Sequence, residues 1–185
     1  NTRQDLMTHD FPSIWLEVND GGIKSLVCFY YREWFGENKC KSTQAQRDKL
    51  NILLSQFSRA SHVCKRIICM GDANLNSAKF NDPTYYLHNL VADLQTCLTE
   101  SGLTFHELGP TYFSFKTNAD GSKTSSNLDH LYYSDSSIVR GVRVIDNGLS
   151  DHDPVLAEYV VSKNKHPQRR KKDEQISKTR KRDFR

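Results

Sequence analysis

Three acid-bearing motifs stand at the ends of apolar runs: Gly71-Asp72-Ala73-Asn74, Leu128-Asp129-His130 and Ser150-Asp151-His152-Asp153-Pro154. A carboxylate at such a position is costly to bury unless something pairs with it, and loop-end carboxylates on a layered fold converge on one cleft. Phosphodiester hydrolysis asks for such a set. It needs a group that positions and deprotonates water, donors for the phosphoryl oxygens, and help for the departing alkoxide. Asp72, Asn74, Tyr31, His152 and Asp129 carry the carboxyl, amide, phenol and imidazole groups for those tasks, and Asp151 is left for a metal. A hard cation such as Mg²⁺ takes oxygen ligands and keeps several waters beside one or two carboxylates. Taken singly each motif says less, because a Gly-Asp-x-Asn tetrapeptide after a strand is more often a turn.

The elements that must hold these groups follow from periodicity. Residues 14–18 read as a strand, Asn19-Asp20-Gly21-Gly22 as a turn, and residues 23–31 as a second, longer strand, which together make a hairpin. Leu50, Leu53, Leu54 and Phe57 repeat at helical spacing, so an amphipathic helix is expected over 43–60, its apolar stripe covering a sheet. A short strand over 65–70 stops abruptly at Gly71. Tyr86, Leu90, Leu94, Cys97 and Leu98 mark a second amphipathic helix, ended by Gly102 in the C′ position. The polar stretch 116–126 reads as a loop, and strands are expected over 128–133, 142–145 and 155–161. Strands alternating with two helices and including a hairpin imply a layered α/β sandwich with mixed or antiparallel sheets. Tyr30 and Tyr31 are neighbours on one strand, so one phenol must face the core. By the same alternation His130 points away from Asp129 and is expected to be a packed or surface histidine. Thr111 and Tyr112 have two open readings, one beside substrate and one structural.

A chain of 185 residues with 37% apolar and 26% charged residues supports one globular core. It contains no uninterrupted apolar run of the roughly 18 residues a membrane helix needs, and no secretory signal pattern. Five cysteines without a C-x-x-C pair point to reduced thiols in an intracellular protein rather than to a zinc or redox site. The net charge of +4 is unevenly spread: 163–185 holds eleven basic and three acidic residues, leaving 15 basic against 19 acidic in 1–162. The expected organisation is therefore a folded unit over 1–162 and a basic linker or tail over 163–185, the latter able to hold phosphates electrostatically. Because the chain starts at Asn1 and ends in a charged tract, a portion of a longer protein is expected.

Read in order, Phe29-Tyr30-Tyr31-Arg32, Gly71-Asp72-Ala73-Asn74, Pro110-Thr111-Tyr112, Leu128-Asp129-His130 and Ser150-Asp151-His152-Asp153-Pro154 resemble the endonuclease/exonuclease/phosphatase superfamily. Within it the motifs are similar to the apurinic-endonuclease-like nuclease domain of non-LTR retrotransposons. The resemblance implies an α/β sandwich, incomplete at the N-terminus, and Mg²⁺-dependent endonuclease activity, with Mn²⁺ as the alternative metal. It implies roles residue by residue: Asp72 activates water, Asn74 binds phosphate and water, Asp129 holds the catalytic His152, Asp151 faces the metal, and Tyr31 lies near the scissile phosphate. The family's site also draws an Asn and a metal-binding Glu from a portion preceding anything equivalent to Asn1. Glu33-Trp34 follows Tyr31-Arg32 where relatives commonly have proline. The implied partner is DNA, reached in the nucleus, with RNA a partner through the polyprotein. Two rival functions stay open: a non-catalytic nucleic-acid binder, whose affinity would fall steeply with salt, and a phosphatase of small phosphoesters.

Overall fold

Ile23–Tyr31 (β2), rich in β-branched and aromatic residues, is a central strand and not merely half of a hairpin. It pairs antiparallel with Ser13–Asp20 (β1) across the Gly21-Gly22 turn, and parallel with Ile67–Asp72 (β3) on its other side. Parallel neighbours need a crossover, and helix Thr43–Val63 (α1) supplies it. Ser42 starts α1 by accepting the Ala45 N–H at 3.1 Å, a side-chain N-cap. The computed structural model describes residues 1–34, 42–146 and 148–160, so the expected basic tail lies outside the described residues.

The main sheet runs β1-β2-β3-β7-β4, completed by Asp129–Tyr133 (β7) and Thr104–His106 (β4). Helix α1 and helix His88–Glu100 (α2) cover one face of this sheet. Leu50, Leu53 and Phe57 of α1 and Leu90 and Leu94 of α2 are buried against Trp15, Leu26, Cys28, Tyr30, Cys69 and Tyr132. Each fully buried Leu or Phe contributes about 2 kcal/mol, so this layer supplies most of the driving force for folding. Gln56 ties α1 to β1 by accepting from both Ser13 Oγ (2.9 Å) and Trp15 Nε1 (2.8 Å).

The opposite face is covered by a hairpin of Val139–Val144 (β8) and Val155–Tyr159 (β9), whose Ala157 and Tyr159 share a small cavity with Val27, Ile68 and Met70. Arg66 Nη2 donates to Val160 O at 2.8 Å and closes the layer at its edge. Beyond the hairpin, Ile14, Phe29 and Tyr31 remain 52%, 45% and 46% exposed on that face.

Three expectations are corrected. Residues 116–126 are not one loop: Tyr112–Thr117 (β5) and Lys123–Ser126 (β6) form a second hairpin, turned at Asn118 and Gly121. Only β5 carries a mark in the sequence, the short alternation Phe113-Ser114-Phe115-Lys116; β6 is Lys123-Thr124-Ser125-Ser126, polar and mostly exposed, so nothing marks the returning strand. Tyr86 lies before α2, not in it, and is 60% exposed. The expected strand over 142–145 begins three residues earlier, at Val139.

Gly71 is the close approach of the sheet. A Cβ there would meet the Tyr30 carbonyl oxygen at 1.9 Å, backbone against backbone across the β2/β3 pair. Gly71→Ala is therefore expected to destabilise by about 3 kcal/mol or more, because the strands must part to admit the methyl. Urea unfolding followed by circular dichroism checks it.

Candidate active site

Strand register gathers the first three groups. Tyr31 of β2 pairs with Asp72 of β3, and Asp72 pairs with Asp129 of β7, so the three residues lie side by side across one end of the sheet. Residues directly opposite each other in adjacent strands present their side chains on the same face. That face carries the half-exposed Tyr31, whereas Tyr30 is buried against the helices.

His152 arrives from the loop before β9. Its Nδ1 lies 2.9 Å from Asp129 Oδ2, with the histidine 31% and the aspartate 18% exposed. A carboxylate accepts from Nδ1–H, which leaves Nε2 as the nitrogen available to a substrate oxygen. The loop is pinned by backbone bonds to β5: Phe113 N donates to Asp151 O at 2.7 Å, and Asp153 N donates to Thr111 O at 2.8 Å. Thr111 is fully buried, and its Oγ1 accepts from the amides of Leu128 (3.3 Å) and Asp129 (3.1 Å). Thr111 thus links the start of β7 to the His152 loop, which resolves its open reading in favour of the structural one.

Asn74 closes a tight loop after β3. Its amide donates to Asp72 Oδ1 at 2.8 Å, its Nδ2 donates to Arg32 O at 2.8 Å, and its backbone sits at φ 47. Asparagine tolerates that left-handed conformation better than other side chains with a Cβ. The Asp151 carboxylate accepts from Ser150 Oγ at 3.3 Å. Tyr31 shares the register of Asp72 but makes no hydrogen bond to the other site residues among the described residues.

Burial pushes the Asp72 carboxyl up to about 6; the Asn74 amide pulls it back, the neighbouring Asp129 charge pushes it further up, and His152 and Arg32 pull it down. A carboxyl poised there can take a proton from water near neutral pH. For His152, burial opposes the charged form, but the hydrogen bond and charge of Asp129, followed by Asp72 and Asp151, outweigh it and raise the imidazole. The site therefore holds a base and an acid of opposite tendency in one place.

The carboxylates offer hard oxygen donors, the right chemistry for Mg²⁺. Yet among the described residues no three His, Cys, Asp or Glu side chains converge into a metal-holding group. This part of the chain does not by itself build a closed cation site.

Two clefts meet at His152. One, of about 460 Å³, runs past Asp129, Ser150 and Pro154; the other, of about 420 Å³, is walled by Asn74 and by the rings of Trp34, Tyr85, Tyr86 and Tyr112. Of the aromatic wall only Tyr112 has a reading beside substrate from the sequence, where Trp34 reads only as a departure from proline and Tyr86 as a helix position. Arg32, whose side chain reaches back to the loop after β3, has no reading of its own there.

Among solved structures, the endonuclease domain of TRAS1, a telomere-specific non-LTR retrotransposon, matches with a TM-score of 0.64 at 21% identity, over 88% of this chain and 69% of that one. The chain has the endonuclease/exonuclease/phosphatase fold. The same fold is matched in the catalytic domain of Xenopus laevis APE2, with a TM-score of 0.57 at 15% identity, over 87% of this chain and 60% of that one. The Neisseria 3′ phosphatase NExo, bound to product DNA hairpin, matches with a TM-score of 0.56 at 18% identity, over 79% of this chain and 64% of that one. The chain thus spans about two thirds of the length of these structures. No family model and no curated protein matches the sequence. The parallel β2-α1-β3 unit and the loops following β3 and preceding β7 and β9 are what this fold uses here to bring the polar groups to one end of the sheet.

Proposed function

We propose that the chain is the later part of a divalent-metal-dependent phosphodiesterase that cuts DNA, with Asp72, Asn74, Asp129, His152 and Tyr31 as its catalytic groups and Asp151 facing the metal. The observation that carries the reading is the 2.9 Å pairing of His152 with Asp129 at the end of the sheet where Asp72 pairs in register with Asp129. In this reading Asp72 accepts a proton from the attacking water as its oxygen bonds to phosphorus, Asn74 holds a phosphoryl oxygen, and the His152 imidazolium, oriented by Asp129, donates a hydrogen bond to the phosphate. The P–O bond to the leaving sugar oxygen breaks, that oxygen taking a proton from water. Tyr31 pairs in register with Asp72 at the same end of the sheet, and in this reading its phenol flanks the phosphate. Mg²⁺, or Mn²⁺ in its place, neutralises charge on the phosphoryl oxygens when bound. The fold shared with a retrotransposon endonuclease and with a DNA-bound 3′ phosphatase supports DNA as the substrate, and a retrotransposon polyprotein, with RNA as its further partner, as the context. Action on DNA in such a context takes place in the nucleus; no helix among the described residues is long and apolar enough to cross a membrane.

The aromatic cleft favours nucleic acid over a small phosphoester. Tyr86 stands edge-on to both Trp34 (6.3 Å between ring centres) and Tyr85 (5.2 Å), a cluster that offers ring faces to bases beside the reacting phosphate. Stacking of a base on an aromatic side chain is worth about 1–3 kcal/mol. Tyr86→Ala should accordingly weaken oligonucleotide binding by about 5- to 100-fold, read by fluorescence anisotropy, with a free phosphate ester unaffected. Equal loss for inositol phosphates and DNA would move the reading toward a phosphatase.

The direct assay is nicking of supercoiled plasmid with Mg²⁺ by this chain, alone and with any upstream coding sequence restored. Nicking that EDTA abolishes supports the proposal. Salt-sensitive DNA binding by both with no nicking would favour the non-catalytic binder instead.

A further inference from the structure

The loop that carries Asp72 and Asn74 is held from behind, at every one of four consecutive carbonyls. The Arg32 amide donates to Asp72 O at 2.8 Å, Arg32 Nε to Ala73 O, Arg32 Nη2 to Asn74 O at 2.8 Å, and His130 Nε2 lies 2.8 Å from Leu75 O. Both side chains are fully buried. Neither touches the clefts beside His152.

Arg32 is an unusual core residue. Among the described residues it forms no ion pair; its Nη1 donates to Gln46 Oε1 at 2.7 Å and to Gln46 O at 3.3 Å. A guanidinium is kept out of water at this cost only where its donors are used, and its planar fork suits two adjacent carbonyls as a lysine ammonium does not. His130 is tuned for the same task. Burial pushes it down to about 4, so it is neutral at physiological pH. A carbonyl only accepts, so Nε2 carries the hydrogen toward Leu75, and Nδ1 accepts from the Tyr132 hydroxyl at 2.6 Å. The held segment needs such support, since Asn74 sits at φ 47 and its amide donates to Asp72 Oδ1.

We propose that Arg32 and His130 are positioning residues: by donating to the carbonyls of Ala73, Asn74 and Leu75 from the buried side of the sheet, they fix the Asp72 carboxylate and Asn74 side chain for attack on the phosphate. The claim about the loop stands on geometry alone; its consequence for catalysis rests on the reading of Asp72 and Asn74 given above. Tyr132 belongs to the same brace, one step further back, by fixing the His130 tautomer.

Amide hydrogen exchange on the full chain, read residue by residue by NMR, separates a local brace from general core packing. In Arg32→Lys and in His130→Leu, exchange at the Asn74 amide should quicken about 10-fold or more, with β3 and β7 amides changed less than about 2-fold. His130→Gln, whose Nε2 reaches the same carbonyl, should return Asn74 to within about 3-fold of the wild type. In the nicking assay, with rates normalised to the folded fraction read by circular dichroism, the two disruptive variants should lose about 10-fold in kcat with KM within about 2-fold. Uniform acceleration of all core amides, or an unchanged Asn74 amide, overturns the brace. If Arg32→Lys does not fold, His130→Leu, His130→Gln and the milder Tyr132→Phe decide the question by the same measurement. If the wild type does not nick, the catalytic reading fails while the exchange data still judge the brace.

Discussion

Asp72→Asn should cut cleavage to a small residual rate and make the protein more stable, two effects of opposite sign from one substitution. Removing the group that takes the proton from water is expected to cost about 10²–10⁴-fold in kcat. The stability gain follows from burial, which raises the carboxyl from 3.8 to about 6. The native state then holds a proton that the unfolded state has released. Stability therefore falls as pH rises from about 4 to about 6, and stays reduced above it. The asparagine is neutral throughout and keeps an oxygen to accept the Asn74 amide, so its advantage appears above pH 6, on the order of 1–3 kcal/mol or a few degrees in Tm, and vanishes near pH 4. Thermal unfolding at pH 4 and pH 8 beside a cleavage assay reads both. Loss of activity with a Tm lowered at pH 8 would mean that Asp72 is an ordinary structural carboxylate.

The second large effect is that of His152. His152→Ala should lower kcat by about 10²–10⁴-fold, and Asp129→Asn somewhat less, because Asp129 acts through the ring it orients. The double variant should be no worse than His152→Ala alone. Additive losses would instead assign Asp129 an independent role. The raised imidazole adds a pH signature. The acting form is the imidazolium, lost as pH rises through its folded pKa, whereas Asp72 acts only once deprotonated. Activity should therefore rise with pH through the region near 6, where Asp72 titrates, and fall on the alkaline side as His152 loses its proton, the limbs belonging to the coupled set. Asp72→Asn should erase the acid limb in its residual activity, and His152→Ala the alkaline one.

How far this was legible in the chain depends on whether a residue's task is written in side-chain pattern or in backbone contact. The run from Ile23 to Tyr31, the helical spacing of Leu50, Leu53 and Phe57, and the apolar run before Gly71 leave clear marks, and the β2-α1-β3 core follows from them, although the strand expected to stop at Gly71 continues through it to Asp72. The β5-β6 hairpin leaves only the short Phe113/Phe115 alternation on β5, since Lys123, Thr124 and Ser125 of β6 are exposed and polar. The acid-bearing motifs are visible as residue types, yet the pairing of Asp129 with His152 is set by the His152 loop's bonds to Thr111 and Phe113, contacts between backbone atoms that carry no sequence mark. Arg32 and His130 escaped for the same reason. Both hold carbonyls, and an arginine after an apolar strand reads as a surface residue until its donors are followed.

The central claim is that Asp72, Asn74, Asp129 and His152 act as one phosphodiester-cutting site. The measurement that tests it most directly is the action of the chain, with any upstream coding sequence restored, on supercoiled plasmid in Mg²⁺, set beside its Asp72→Asn and His152→Ala variants. The expected result is conversion to the open-circular form by the wild type, blocked by EDTA and lost in both variants while DNA binding persists. Nicking that survives both substitutions, or a wild type that leaves the plasmid supercoiled, would contradict it.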